Sequence, residues 1–208
     1  QGLPDSGCYD FQHGHALIWI DFPIPQNRPL WQHKDEVEAR VGGAAAQWML
    51  KRQRNLLIWP NVQLMEQASS QIRVFRPLAH NLTEVKIYCI AARGESAQMR
   101  ERRIRQYEDF FNATGMATPD DLAIFEACQE GYKARIVEWQ QGYDRGLEHI
   151  TRGPDQFARE LGINPSSSGP DATDETLYHG QYREWMRLMQ AGLAREQGAA
   201  PERRTATG

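Results

Sequence analysis

The chain has 208 residues, 40% hydrophobic and 25% charged, enough for one sizeable domain with its own core. A net charge of −3 gives no reason to expect nucleic acid or an anionic membrane as main partner, and no apolar run approaches the roughly 20 residues of a spanning helix. Three cysteines, Cys8, Cys89 and Cys128, are odd in number and far apart. They argue against a disulfide scaffold or a close-spaced zinc or iron–sulfur site, and for a reducing cytoplasm; no secretory leader is expected.

In chain order, residues 11–22 read as a strand carrying the apolar run Ala16-Leu17-Ile18-Trp19-Ile20, closed by a turn region at Pro23, Pro25, Asn27 and Pro29. Residues 33–52 read as a helix, with Val37, Val41, Ala44, Ala45, Trp48 and Met49 at helical spacing and a break at Gly42-Gly43. Short strands follow at residues 56–59, 62–68, 71–77 and 83–91, punctuated by Pro60 and by a turn at His80-Asn81. Val85, Ile87, Cys89 and Ala91 alternate with Glu84, Lys86, Tyr88 and Ile90, the period of a sheet with one buried face.

The second half is helical by pattern. Helices are expected over residues 96–111, 120–142 and 173–189, the middle one using Leu122, Ile124, Phe125, Ile136, Val137 and Trp139. Residues 163–170 are a loop by composition. Residues 1–192 form the domain, and 193–208, rich in Ala, Glu, Arg and Gly, are expected to be a disordered tail. Strands followed by segregated helices make an α+β domain.

The segment from Phe110 to Asp121 concentrates the chemistry. Asp120 and Asp121 follow Gly115 and Pro119 at the start of a helix and lie near Phe110 and Phe111. On spacing alone they are acids favoured at the positive end of a helix.

These residues begin a resemblance that covers residues 11–189. The chain resembles the catalytic domain of Rieske-type aromatic-ring-hydroxylating dioxygenase large (alpha) subunits, in the benzoate, toluate and anthranilate branch. It is carried by Phe11-Gln12-His13-Gly14-His15, Arg54-Asn55-Leu56, Trp59-Pro60-Asn61-Val62, Gln71-Ile72-Arg73-Val74 with Arg76-Pro77, Thr83-Glu84-Val85 and Gly94-Glu95-Ser96-Ala97. The longest run is Arg103-Ile104-Arg105-Gln106-Tyr107-Glu108-Asp109-Phe110-Phe111-Asn112, leading to Gly115-Met116 and Thr118-Pro119-Asp120-Asp121-Leu122. Thr173-Asp174-Glu175, Leu177-Tyr178 and Trp185 are similar again.

The resemblance implies a helix-grip (START-like) fold, an antiparallel sheet curved around long helices, here incomplete at the N-terminus. It also implies a mononuclear Fe(II) held by two histidines and one carboxylate, with positions left open for dioxygen. It makes Asp121 the carboxylate ligand, with Asp120 the competitor one residue away. Phe111, ten residues earlier, becomes a wall of the substrate pocket, and Asn61, Gln63 and Met116 further substrate contacts. An aromatic carboxylate such as benzoate is the implied substrate, hydroxylated with NADH-derived electrons that arrive from a reductase through a [2Fe–2S] Rieske cluster. A small (beta) subunit, an α3β3 assembly and a bacterial cytoplasm are implied with it.

The departures matter too. The family's helical histidine pair and its cluster ligands are not in this sequence, and both are expected upstream of Gln1. The chain therefore reads as the C-terminal portion of a longer subunit, inactive alone. His13 and His15 would face the same way on a strand, yet hydrogen-bonded strand histidines are the plainer expectation, and His80, His149 and His179 read as surface or turn residues. Arg100, Arg102, Arg103 and Arg105 lie among Glu101, Glu108 and Asp109, a solvated helix face. A substrate carboxylate needs a cation, and an arginine fork suits it. Arg73 and Arg76, three apart on a strand, face opposite ways, so at most one points inward, and a surface role is expected for both. The other reading of the whole is a non-catalytic helix-grip module for an apolar or aromatic ligand, although an apolar pocket has no use for Asp120-Asp121.

Overall fold

The computed structural model describes residues 5–67, 69–136 and 142–198. β2 (Ala16–Asp21) lies within the strand expected over residues 11–22, and β1 (Ser6–Asp10), where none was expected, pairs with it as an antiparallel hairpin. A 3₁₀ turn, Gln12–Gly14, connects them with His13 at φ 62°. The apolar run of β2 announced itself, whereas β1 is built from small and polar residues with no alternation to read. Gly7 is one of them, and a Cβ there would collide with the Trp19 indole.

Two proline-led 3₁₀ turns, Pro25–Asn27 and Pro29–His33, lead to α1 (Lys34–Val41) and α2 (Gly43–Lys51). The expected break falls at Gly42, whose φ of 81° suits glycine alone. β3 (Arg52–Ile58), β4 (Val62–Gln67), β5 (Ser69–Ala79) and β6 (Leu82–Cys89) then run as a meander, with the last turn at the expected His80-Asn81. α3 (Ala97–Phe111) starts where Ser96 Oγ accepts the Met99 N–H at 3.3 Å. α4 (Thr118–Gly131) is shorter than the helix expected over 120–142, and Val137 and Trp139 lie outside the described residues.

β7 (Thr151–Arg152), α5 (Gln156–Leu161) and β8 (Ser167–Gly169) follow, α5 capped by Asp155 Oδ1, which accepts the Ala158 N–H at 2.8 Å. α6 (Tyr178–Gly198) starts five residues after Thr173, where a helix was expected to start. The Asp174 carboxylate instead turns back to accept the Asp171 N–H at 3.2 Å, a local bond that competes with helix formation. α6 also runs through residues 193–198, which were expected to be disordered; 199–208 lie outside the described residues.

All strands among the described residues join one antiparallel sheet in the order β6-β5-β4-β3-β2-β1-β8-β7, so the architecture is α+β. One face buries Tyr9, Leu17 and Trp19 against Trp48 of α2 and Ala158 of α5. Into this layer the Arg52 guanidinium inserts 4.4 Å from the Trp19 ring and 4.6 Å from that of Trp48, its Nε donating to Asp21 at 3.0 Å. The opposite face packs Cys8, Ala16 and Ile18 against Leu177, and carries α3 and α6. Burial pushes the Cys8 thiol up to about 11. At the β6 end the alternation does not produce the expected buried face: Val85 is 42% exposed and Cys89 and Ala91 are exposed too, because β6 is an edge strand over which no described element packs fully.

Candidate functional site

The turn between α3 and α4 is fixed by its own backbone. Asn112 N–H donates to the Tyr107 carbonyl at 3.2 Å, Met116 N–H to Asp109 at 2.9 Å and Ala117 N–H to Phe110 at 3.0 Å. Thr118 Oγ1 donates to the Phe111 carbonyl at 2.7 Å, tying the first residue of α4 to the last of α3. The offset between Phe111 and Asp121 is therefore set by a closed loop rather than a mobile one. Phe111 is buried, edge-on to Phe110 at 4.8 Å between centroids. Asp120 and Asp121 occupy the first turn of α4 as expected, and both carboxylates are exposed.

The wall facing Phe111 comes from β4 and β5. Gln63 pairs with Arg73 across the ladder, so both stand on one face, with Gln71 two residues along. The Arg73 guanidinium lies over the Phe111 ring, 4.9 Å from its centroid, and its Nε donates to Gln71 Oε1 at 3.1 Å. Gln71 is fully buried and donates in turn to Ser69 Oγ at 2.8 Å, which locks its amide. Burial pulls the Arg73 guanidinium down from its ordinary value, while the charge of Asp121 and then that of Tyr107 pull it back up. Phe111 and Arg73 thus meet, with Gln63 beside Arg73 on the same face and Asp121 in electrostatic range.

This corrects the surface role expected for Arg73, and Arg76 has the surface role expected of it. Arg73 turns inward, whereas Arg76 faces outward and pairs with Glu84 at 3.1 Å. Opposite facing was legible in the three-residue spacing; which of the two faces the helices depended on the register with β4. Nothing in one sequence distinguishes a buried glutamine such as Gln71 from a solvated one. Asn61 is exposed in the turn before β4, its carbonyl accepting the Phe75 N–H at 2.9 Å, and Met116 is 80% exposed in the α3–α4 loop.

The histidines do not form the strand pair. His13 lies in the 3₁₀ turn, 4.0 Å from Glu184, and His15 Nδ1 accepts the Trp59 N–H at 2.9 Å, placing the proton of a neutral ring on Nε2. His149 is paired with Glu148 at 3.2 Å, and His179 is half-buried against the Tyr143 carbonyl. Among the described residues no group of three or more His, Cys, Asp and Glu could hold a metal ion. Asp121 suits a carboxylate ligand's share of such a site, and the described residues do not complete one. One member of the expected solvated arginine face, Arg103, is instead buried; it pairs with Glu95 and donates to the Ile90 carbonyl at 2.5 Å. That pair lines a cleft of about 910 Å³ between α1, α3 and the end of the sheet, which includes neither Phe111 nor Asp121.

Comparison with known proteins supplies relatives in sequence and a shared fold. Over 191 residues the chain is 47% identical to the 2-halobenzoate 1,2-dioxygenase large subunit of Burkholderia cepacia, covering 92% of this chain and 41% of that protein. It is 44% identical to the toluate 1,2-dioxygenase subunit alpha of Pseudomonas putida (94% and 42% covered) and 42% identical to the anthranilate 1,2-dioxygenase large subunit of Acinetobacter baylyi (91% and 40%). The chain thus spans about two fifths of the length of these curated relatives. Its fold matches the crystal structure of naphthalene 1,2-dioxygenase from Rhodococcus sp. bound to indole, with a TM-score of 0.72 at 17% identity over 89% of this chain and 45% of that one. A naphthalene 1,2-dioxygenase with indole in its active site matches equally well, at 0.72 and 18% over 89% and 42%. The family model described as ring hydroxylating alpha subunit (catalytic domain) matches residues 3–191, and the chain belongs to that family.

Proposed function

We propose that the chain is the C-terminal portion, residues 1–192, of the catalytic domain of an oxygenase large subunit that adds dioxygen to an aromatic carboxylate such as benzoate. The observation that carries this is the Phe111–Arg73–Asp121 grouping on a chain 42–47% identical to large subunits named for halobenzoate, toluate and anthranilate. In this family the chemistry is iron-based; a mononuclear Fe(II), when bound, would supply dioxygen activation, with Asp121 as its carboxylate ligand. The rest of the work falls to side chains described above. Phe111, with the Arg73 guanidinium over its face, is a wall of the substrate pocket, Gln63 stands beside Arg73 on the sheet, and Asn61 and Met116 are the remaining substrate contacts. The closed α3–α4 turn keeps that face at a fixed distance from Asp121.

A [2Fe–2S] Rieske cluster, a reductase fed by NADH, a small subunit in an α3β3 assembly and a cytoplasmic location complete the proposal. None of the described helices is long and apolar enough to cross a membrane. The test is to express the complete reading frame that contains this chain, with its small subunit and reductase, and follow oxygen uptake on benzoate with NADH. Uptake matched by a hydroxylated product is expected. Stoichiometric binding of benzoate by an assembly without iron would favour the non-catalytic ligand-binding module instead.

A further inference from the structure

Five arginines are buried or half-buried among the described residues: Arg28, Arg52, Arg54, Arg73 and Arg103. Four of them have a carboxylate partner. Arg28 meets Glu66 at 2.7 Å, Arg52 meets Asp21 at 3.0 Å, Arg54 also meets Glu66, and Arg103 meets Glu95. Arg73 departs from this pattern. Its hydrogen bond is to a neutral amide, Gln71 Oε1, and the charge of Asp121 reaches it only from a distance. A cation partly removed from water with no anion of its own is costly unless something else supplies the charge.

The details of its seating say what that something is. Gln71 engages Nε, and Gln71 is itself immobilised by Ser69, so the guanidinium plane is held on one edge. The edge left over carries Nη1 and Nη2, two parallel N–H donors at the spacing of a carboxylate's oxygens. The same guanidinium rests on the Phe111 ring. A carboxylate taken up by that free edge carries its body alongside this stacked guanidinium–aromatic layer, which suits a flat apolar ring bonded directly to the carboxylate. We propose that Arg73 is the residue that selects aromatic carboxylates over neutral arenes, binding the carboxylate through Nη1 and Nη2 while Gln71 orients it. This rests on the reading of the chain as an aromatic-carboxylate oxygenase and adds to it the residue that sets the substrate class. The alternative is that Arg73 serves only to brace Asp121.

Calorimetric titration of the complete large subunit, assembled with its small subunit, separates these. Benzoate and its uncharged near-isostere benzamide are the two probes, and wild type, Arg73→Gln and Arg73→Lys the three proteins. Iron content and the cluster spectrum are recorded for each. Wild type is expected to prefer benzoate, and Arg73→Gln to weaken benzoate binding by about tenfold to a hundredfold, as for lost hydrogen bonds to a charged group. Benzamide affinity and iron content should stay unchanged. Arg73→Lys, which keeps the charge but not the fork, should fall between, and it carries the test if Arg73→Gln does not assemble.

An unchanged benzoate-to-benzamide ratio in the variants overturns the assignment. So does an equal loss for both probes, or a loss of iron, either of which makes Arg73 a support for Asp121. Wild type that binds neither probe sinks the aromatic-carboxylate reading itself, and this assignment with it.

Discussion

Two adjacent acids at one helix start have different expected roles, and substitution separates them. Asp121→Ala in the complete subunit is expected to lose its mononuclear iron and its activity while keeping fold and cluster, because a ferrous site with two neutral imidazoles needs an anionic oxygen ligand. Asp120→Ala should lose tenfold or so in activity at most, with a helix-end contribution of about 0.3–1 kcal/mol to stability. Iron per subunit in both variants decides the matter; iron kept in Asp121→Ala and lost in Asp120→Ala would put the ligand one residue earlier. Phe111 makes a second residue-level case. Its ring is buried between Phe110 and the Arg73 guanidinium, so Phe111→Val should cost about 1–3 kcal/mol and also reshape the pocket wall. Product analysis on benzoate and toluate is expected to show altered regioselectivity or substrate range in a subunit that still assembles. Unaltered products from an assembled variant would make Phe111 a packing residue alone.

At the scale of elements, the docking of α6 across β1 depends on one missing side chain. Gly180 lies so close to the buried carboxylate of Asp10 that a Cβ would fall well inside its van der Waals surface, and Arg183 one turn on holds that carboxylate at 2.5 Å. Burial raises the Asp10 carboxyl above its ordinary value, with Arg183 working against the rise, so the group has little room to move. Gly180→Ala is expected to destabilise the subunit by about 1–3 kcal/mol, the usual cost of overpacking. Gly192→Ala on the same helix, where a Cβ would meet nothing within 4 Å, should be neutral or stabilising by up to about 1 kcal/mol. Thermal unfolding of the two variants gives the comparison, and equal melting temperatures would refute it.

The same elements mark where a single sequence is legible. Periodicity exposed β2, the break at Gly42 and the acids at the head of α4, all local signals. It did not reveal β1 or β8, whose small and polar residues are strands only because β2 supplies the ladder. It also overstated the burial of β6, since alternation reports which face is apolar and not whether anything covers it. In the site, Asp121 and Phe111 came from the resemblance, while the inward turn of Arg73 waited on the β4–β5 register.

For the molecule as a whole, burial is uneven. The clusters around Trp19 and Trp48 and around Cys8 and Leu177 fill the β1–β3 part of the sheet. α4 has no buried residue: Leu122, Ile124 and Phe125 are 52%, 60% and 66% exposed, and on α6 Trp185 and Met186 are each 51% exposed. Large apolar side chains left this exposed along two helices mark a place where other protein belongs. A chain that spans about two fifths of its curated relatives and offers Asp121 without a completed set of ligands among its described residues should be stable in one part and unfinished in the other. Produced by itself, the 208-residue chain is therefore expected to show no visible iron–sulfur absorption and no turnover of benzoate with a reductase and NADH. It should also bind a hydrophobic dye such as ANS and self-associate as concentration rises, because the described residues leave α4 uncovered and association would cover it. Absorption spectra, oxygen uptake and sedimentation of the purified chain test all three. Turnover of benzoate by this polypeptide would mean that its own residues complete the iron site, and a monomer that ignores the dye would mean that the faces of α4 and α6 need no partner.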